Sequence, residues 1–142
     1  MNQSIKTESF AHTQGAHHIG LTVPDINQTR DFFVNTLNFK QVGEKPNYPA
    51  VFVSDGTIMI TLWQTIDPDN ATAFDRKTNI GLHHLALRLN SETSLESLHK
   101  RLIDSGSVDI EFKPENLGSG STQHMMCIIP GGIRIEFILP MN

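Results

Sequence analysis

Two stretches of the chain open alike. His17 to Val23 reads HHIGLTV, and Leu82 to Leu89 reads LHHLALRL. Each is followed by the pattern of a helix and three further strands. In the first unit the helix is expected over Asn27 to Leu37, with Phe32, Phe33 and Leu37 at helical spacing. Strands follow at 39–44, 50–54 and 57–63. Asp55-Gly56 marks a tight hairpin whose two turn positions ask for positive φ. In the second unit a helix is expected over Ser91 to Asp104. Ser91 would cap it, Leu95, Leu98, Leu102 and Ile103 would form its buried stripe, and Gly106 would end it. Strands are predicted near 108–112, 122–129 and 132–139, with Pro114 to Ser121 as a loop and Pro130-Gly131-Gly132 as a turn. With His18 placed on His84, Phe32 falls on Leu98. Two units of about 60 residues are too few for a solenoid, which needs three or more. The expectation is one α+β domain with internal pseudo-symmetry: a polar tail at 1–15, a first module at 16–64, a polar linker at 65–80 and a second module at 81–142.

Strand alternation then sorts the side chains. In the first strand Ile19, Leu21 and Val23 point toward the helix, and His18, Gly20 and Thr22 point away. The second unit splits in the same way: Leu85, Leu87 and Leu89 oppose His84, Ala86 and Arg88. In the last strand Ile133, Ile135, Phe137 and Leu139 oppose Arg134, Glu136 and Ile138. His17 and His83 fall in the apolar register at strand starts, where they can simply be exposed. His18 and His84 are therefore preferred as ligands, with Glu136 as the carboxylate. In the hairpin strand Ile58, Ile60 and Leu62 pack inward, and Met59, Thr61 and Trp63 face the other way.

Several polar residues share the face of these three. Arg88 and Arg134 could grip an anionic substrate by paired hydrogen bonds, or could be solvated edge residues. His124 is offered as an acid or base, because imidazole exchanges protons near neutral pH. Trp63, Met59, Phe52 and Met126 could wall an apolar pocket, although each alone is more often ordinary packing. The single cysteine, Cys127, rules out an internal disulfide and a cysteine-based zinc site. A net charge of −4 argues against a nucleic-acid groove. The apolar runs are too short for a membrane span, and residues 1–15 lack the apolar stretch of a secretory signal. A soluble, cytoplasmic domain is expected.

The segments HHIGLTVPDINQTRDFFVNTLNF at 17–39, VFVSDGTIMITLWQ at 51–64, GLHHLALRL at 81–89 and GGIRIEFI at 131–138 resemble the vicinal oxygen chelate superfamily. That superfamily includes glyoxalase I, methylmalonyl-CoA epimerase, fosfomycin-resistance enzymes, extradiol dioxygenases and bleomycin-resistance binding proteins. The resemblance implies paired βαβββ modules whose curved mixed sheet forms a cup around a metal. Carried over position by position, it implies His18, His84 and Glu136 as metal ligands, and a Glu or Gln where this chain has Thr61. It implies one divalent ion (Fe, Mn, Ni, Co or Zn), a small substrate chelated through adjacent oxygens, and lyase or isomerase chemistry with Glu136 or His124 as base. Two alternatives accompany it. One is an Fe(II) ring-cleaving dioxygenase, favoured by a three-ligand set but lacking the usual tyrosine near Gln123 to Cys127. The other is a non-catalytic binding or resistance protein. The resemblance also implies a homodimer, in which His18 and Glu136 could come from different chains.

Overall fold

The structure, a computed structural model, describes residues 9–140, so the first part of the expected polar tail lies outside it. The first module runs β1 (His18–Val23), α1 (Ile26–Asp31), a π-helical turn (Phe32–Thr36), β2 (Lys40–Lys45), β3 (Ala50–Ser54) and β4 (Met59–Gln64). The second runs β5 (Leu85–Arg88), α2 (Leu95–Ser105), β6 (Asp109–Asn116), β7 (Gln123–Ile129) and β8 (Ile133–Leu139). The strands form two four-stranded mixed sheets of matching order, β1-β4-β3-β2 and β5-β8-β7-β6. In each sheet the leading strand lies parallel to the last, and the other pairings are antiparallel. The expected tandem βαβββ architecture is what the chain adopts. No described helix is long and apolar enough to cross a membrane.

The alternation read from the sequence holds inside the strands. Leu21 and Val23 are buried while His18, Gly20 and Thr22 are exposed, and Leu85 and Leu87 are buried while Ala86 and Arg88 are exposed. The helix-facing sides of both sheets join one core that includes Val23, Phe33, Ile60, Leu62, Leu102 and Ile135. The modules are also held by polar contacts. Thr29, fully buried, donates through Oγ1 to the Pro130 carbonyl at 3.1 Å. Arg101 on α2 donates to the carbonyls of Thr36 (2.6 Å) and Asn35 (2.9 Å), which satisfies acceptors left over where the π turn ends. The Pro130 turn needs glycine at Gly131. Its φ is +102°, and a Cβ there would lie 3.1 Å from both Val23 Cγ1 and Thr29 Oγ1.

Local chemistry moved several boundaries. The first helix begins at Ile26 under an Asp25 cap and widens into the π turn, where Leu37 N–H reaches the Phe32 carbonyl at 3.2 Å. The β3–β4 connection is not the expected two-residue turn, because only Gly56 takes positive φ. Asp55 Oδ1 instead accepts from Thr57 N and Ile58 N, folding a four-residue Asx loop. The second helix is capped by Ser94, whose Oγ accepts from Ser97 N at 3.0 Å, and not by Ser91, since Asn90 to Thr93 form a separate turn. Gly106 ends it in the left-handed conformation, as expected. Ile103 does not belong to the buried stripe, being 53% exposed. The predicted strand at Leu82 to Leu89 is shorter, starting at Leu85. The predicted loop from Pro114 begins later, because β6 continues to Asn116 with Glu115 opposite His124. Pro114 is tolerated there because β6 is an edge strand with an irregular register. Ser94→Ala should lower stability by about 1 kcal/mol and Ser91→Ala by less than about 0.5 kcal/mol, a contrast that urea unfolding of the two variants would resolve.

Candidate functional site

Each sheet turns the face away from its helix toward the residues singled out for chemistry. In the first module that face carries His18, Gly20, Met59, Thr61, Trp63 and Phe52. The register sets Gly20 beside Thr61 and Phe52 on its other side. Trp63 packs edge-on against Tyr48, with ring centroids 4.7 Å apart, and lies 6.1 Å from Phe52. Tyr48 was not singled out by the sequence, because it sits in the β2–β3 turn where strand alternation says nothing.

Thr61 is sealed. It is 4% exposed, its Oγ1 accepts from Trp63 Nε1 at 2.9 Å, and it donates toward the Ile19 carbonyl at 3.5 Å. A hydroxyl whose lone pair is turned to an indole N–H is a poor metal donor. Thr61→Val should therefore cost about 1–3 kcal/mol by leaving the Trp63 N–H unpaired, and should leave divalent-metal affinity unchanged in calorimetric titration.

The second module is more densely wired. Glu136 sits on β8 between Ala86 on β5 and Met126 on β7. Its Oε2 accepts from His124 Nδ1 at 2.9 Å, and His124 Nε2 lies 3.5 Å from Glu115 Oε1. His124 was expected beside a flexible loop, yet it is only 7% exposed. The register that pairs β6 with β7 places it between the two carboxylates. Phe112 packs on it at 4.9 Å. Met126, the cross-strand partner of Glu136, lies on this same face and is buried.

Arg134 is engaged as well. Its Nε and Nη2 donate to the two oxygens of Glu111, and its Nη1 lies 3.3 Å from His83 Nδ1. The guanidinium holds the Glu111 carboxyl below its ordinary range, and Glu111 in turn raises Arg134. Desolvation, followed by the nearby Arg134 charge, lowers His83. Residues of the linker close over this end of the sheet, giving a cavity of about 380 Å³ lined by Phe74, Arg76, Lys77, His83 and Arg134. Arg88 is exposed on β5 and makes no ion pair among the described residues. Cys127 is fully buried, and burial pushes its thiol up to about 12, so it is unsuited to act as a nucleophile.

Both histidine doublets adopt the same contact. His17 Nδ1 lies 2.9 Å from His18 Nδ1, and His83 Nδ1 lies 2.8 Å from His84 Nδ1. Because β5 starts at Leu85, alternation does not extend back to His83. That residue lies against Arg134 on the Glu136 side of the sheet, and not on the apolar side as expected. Nε2 of His18 and Nε2 of His84 make no hydrogen bond among the described residues. Two imidazoles with Nδ1 engaged and Nε2 available, together with a carboxylate oriented by His124, form a donor set that suits a divalent transition metal. Within one chain, however, no three His, Cys, Asp or Glu side chains of the described residues are grouped to hold an ion. His84 and Glu136 belong to the second module, and His18 belongs to the other sheet.

The family model for the Glyoxalase/Bleomycin resistance protein/Dioxygenase superfamily matches residues 15–137. The chain belongs to this superfamily. Solved structures with the same fold include a glyoxylase/bleomycin resistance protein/dioxygenase domain from Frankia sp. EAN1pec, with TM-score 0.75 and 23% identity over 92% of this chain and 94% of that one. A genomically encoded fosfomycin resistance protein, FosX, from Listeria monocytogenes has TM-score 0.70 and 18% identity over 91% and 95% of the two chains. A lactoylglutathione lyase from Agrobacterium tumefaciens has TM-score 0.65 and 16% identity over 91% and 96%. No curated protein matches the sequence. At these identities the superfamily likeness establishes the fold, and the chemistry has to come from the residues of this chain.

Proposed function

We propose that this superfamily member is a divalent-metal-dependent enzyme acting on a small substrate through two adjacent oxygens. The metal would be held by His84 and Glu136 of one copy and His18 of a second copy. The observation that carries this reading is the repeated histidine doublet. At matching places in both modules, one imidazole engages Nδ1 with its neighbour and keeps Nε2 available. The leading strands β1 and β5 each end a separate sheet, and one chain does not group the three donors. A second copy is the simplest source of the missing histidine, with each chain contributing alike under two-fold symmetry.

A divalent ion at these donors supplies Lewis-acid polarisation of substrate oxygens. The chain's own residues supply the rest. Glu136 is fixed by the His124 hydrogen bond, so its second oxygen is presented in one orientation. His124 gives its Nδ1 proton to that contact and can exchange protons only through Nε2, on the side of Glu115. Trp63, Phe52 and Met59 would form the apolar wall, and exposed Arg88, without an ion pair among the described residues, would be a cation available to an anionic substrate. Arg134 is withdrawn from that role by its pairing with Glu111.

The test is a substrate panel with the protein loaded in turn with Mn, Fe, Ni, Co and Zn. The panel holds the hemithioacetal of a 2-oxoaldehyde, fosfomycin with small nucleophiles, and α-hydroxy ketones scored for deuterium uptake from solvent. Turnover or exchange that disappears on chelation is the expected result. No activity on any of them with any metal contradicts the proposal. One observation favours a second reading. Sealed Thr61 leaves three protein ligands, the set used by Fe(II) centres that bind dioxygen. Oxygen uptake with catechols under Fe(II) reconstitution would select it.

A further inference from the structure

We propose that Glu111, Arg134 and His83 form a positioning relay that fixes the tautomer of His84 and leaves its Nε2 unprotonated for a metal. The inference rests on the reading of His84 as a ligand and adds which residues prepare it.

The direction of each hydrogen bond follows from donor counting. Arginine is donor-only and remains protonated. Its Nη1 lies 3.3 Å from His83 Nδ1, so that nitrogen must present its lone pair. His83 Nδ1 also lies 2.8 Å from His84 Nδ1. The single lone pair of His83 Nδ1 is then shared between the Arg134 and His84 contacts as a three-centre acceptor, and His84 Nδ1, whose own lone pair would otherwise face it at this distance, carries the hydrogen. A neutral imidazole has one N–H, so His84 Nε2 is the bare nitrogen and His83 Nε2 is the protonated one. The reverse assignment would set an N–H of His83 against an N–H of Arg134. Glu111 fixes the start of the relay, because its two oxygens take Arg134 Nε and Nη2 and leave Nη1 to reach His83.

The same logic separates the two members of the doublet, which strand alternation fails to do once β5 begins at Leu85. His83 has its lone pair occupied and its other nitrogen protonated, so it cannot ligate without breaking the relay. His84 can. The first module supplies an internal contrast. His17 and His18 make the same contact, but no guanidinium reaches His17 among the described residues, so that doublet is free to exchange tautomers until a metal binds.

The relay can be read without metal, by two-bond ¹H–¹⁵N correlation spectra of protein labelled at histidine. In the metal-free protein His84 should show a protonated Nδ1 and an unprotonated Nε2, with His83 showing the reverse. Arg134→Gln should turn both signals into tautomer mixtures and weaken zinc affinity roughly 10–100-fold, the usual effect of losing a residue that orients a ligand. Arg134→Lys, which keeps a cation that can only donate, should recover most of the affinity. His83→Phe removes the acceptor at an exposed position and should likewise turn the His84 signal into a tautomer mixture and weaken zinc affinity, even if Arg134→Gln folds poorly. A protonated Nε2 on His84 in the unaltered protein would overturn the proposal. So would an unchanged tautomer and an unchanged zinc affinity in folded His83→Phe. If the tautomers are as stated but no divalent metal binds, the relay stands and the proposed metal-dependent function fails.

Discussion

Replacing His84 with alanine is expected to weaken divalent-metal affinity by more than about 100-fold, beyond the effect of removing a residue that only orients a ligand. The unfolding transition should stay where it is. His84 lies just before β5, is only partly buried, and makes its one hydrogen bond among the described residues to the exposed His83. No core contact is lost, and no buried polar group is left unpaired. Glu136→Gln should weaken binding comparably, but with a structural cost, because His124 would then donate to a neutral amide oxygen in place of a carboxylate. Isothermal titration with manganese and zinc, alongside thermal unfolding of the same samples, separates the two effects. A His84→Ala protein that binds metal as well as the parent would remove His84 from the site.

The largest stability effect is expected from Phe33→Ala. Phe33 is completely buried in the π turn, packs edge-on against Phe32 with centroids 5.5 Å apart, and lies 5.1 Å from Phe39. Truncation removes the transfer energy of the ring and leaves a cavity that the neighbouring strands cannot fill, a loss of about 3–5 kcal/mol. Set against a typical total of about 5–15 kcal/mol, that is enough to lower the melting temperature by on the order of 10 °C. Ile103→Ala, at an exposed position that its spacing would assign to the core, should change stability by less than about 0.5 kcal/mol. Urea unfolding with an unchanged slope for both variants would show that the native state alone was altered.

The fold was readable because period-2 alternation in β1, β5 and β8 is enforced by one buried face, and because the second unit repeats the first. The details that escaped were those with competing local chemistry. Ser91 and Ser94 are equally good caps in isolation, and only the turn that Asn90 makes with Glu92 and Thr93 chooses between them. Asp55-Gly56 reads as a two-residue turn until the aspartate side chain is seen to bond the two amides beyond it. A π turn buries the same phenylalanines as an α-helix, so periodicity is blind to it. At the candidate site, the repeat and the strand pattern singled out His18, His84 and Glu136 as expected ligands, although the face of His84 does not follow from alternation because β5 starts at Leu85. Their surroundings depend on register between strands distant in sequence. The irregular pairing of β6 with β7 brings Glu111 to Arg134 and Glu115 to His124, and no local pattern announces it. The sealing of Thr61 by Trp63 likewise needs two side chains on one strand to bend toward each other.

The proposed sharing of a metal between His18 of one copy and His84 and Glu136 of another can be tested by mixing two defective chains. His18→Ala and His84→Ala proteins, each unable to bind metal alone, are unfolded together, refolded as a mixture and titrated with zinc. In a mixed pair one site has lost both histidines and the other keeps all three ligands. Random pairing should then restore about one quarter of the parent's zinc stoichiometry under two-fold symmetry. A mixture that pairs and folds normally yet binds no zinc would contradict a site shared between two copies.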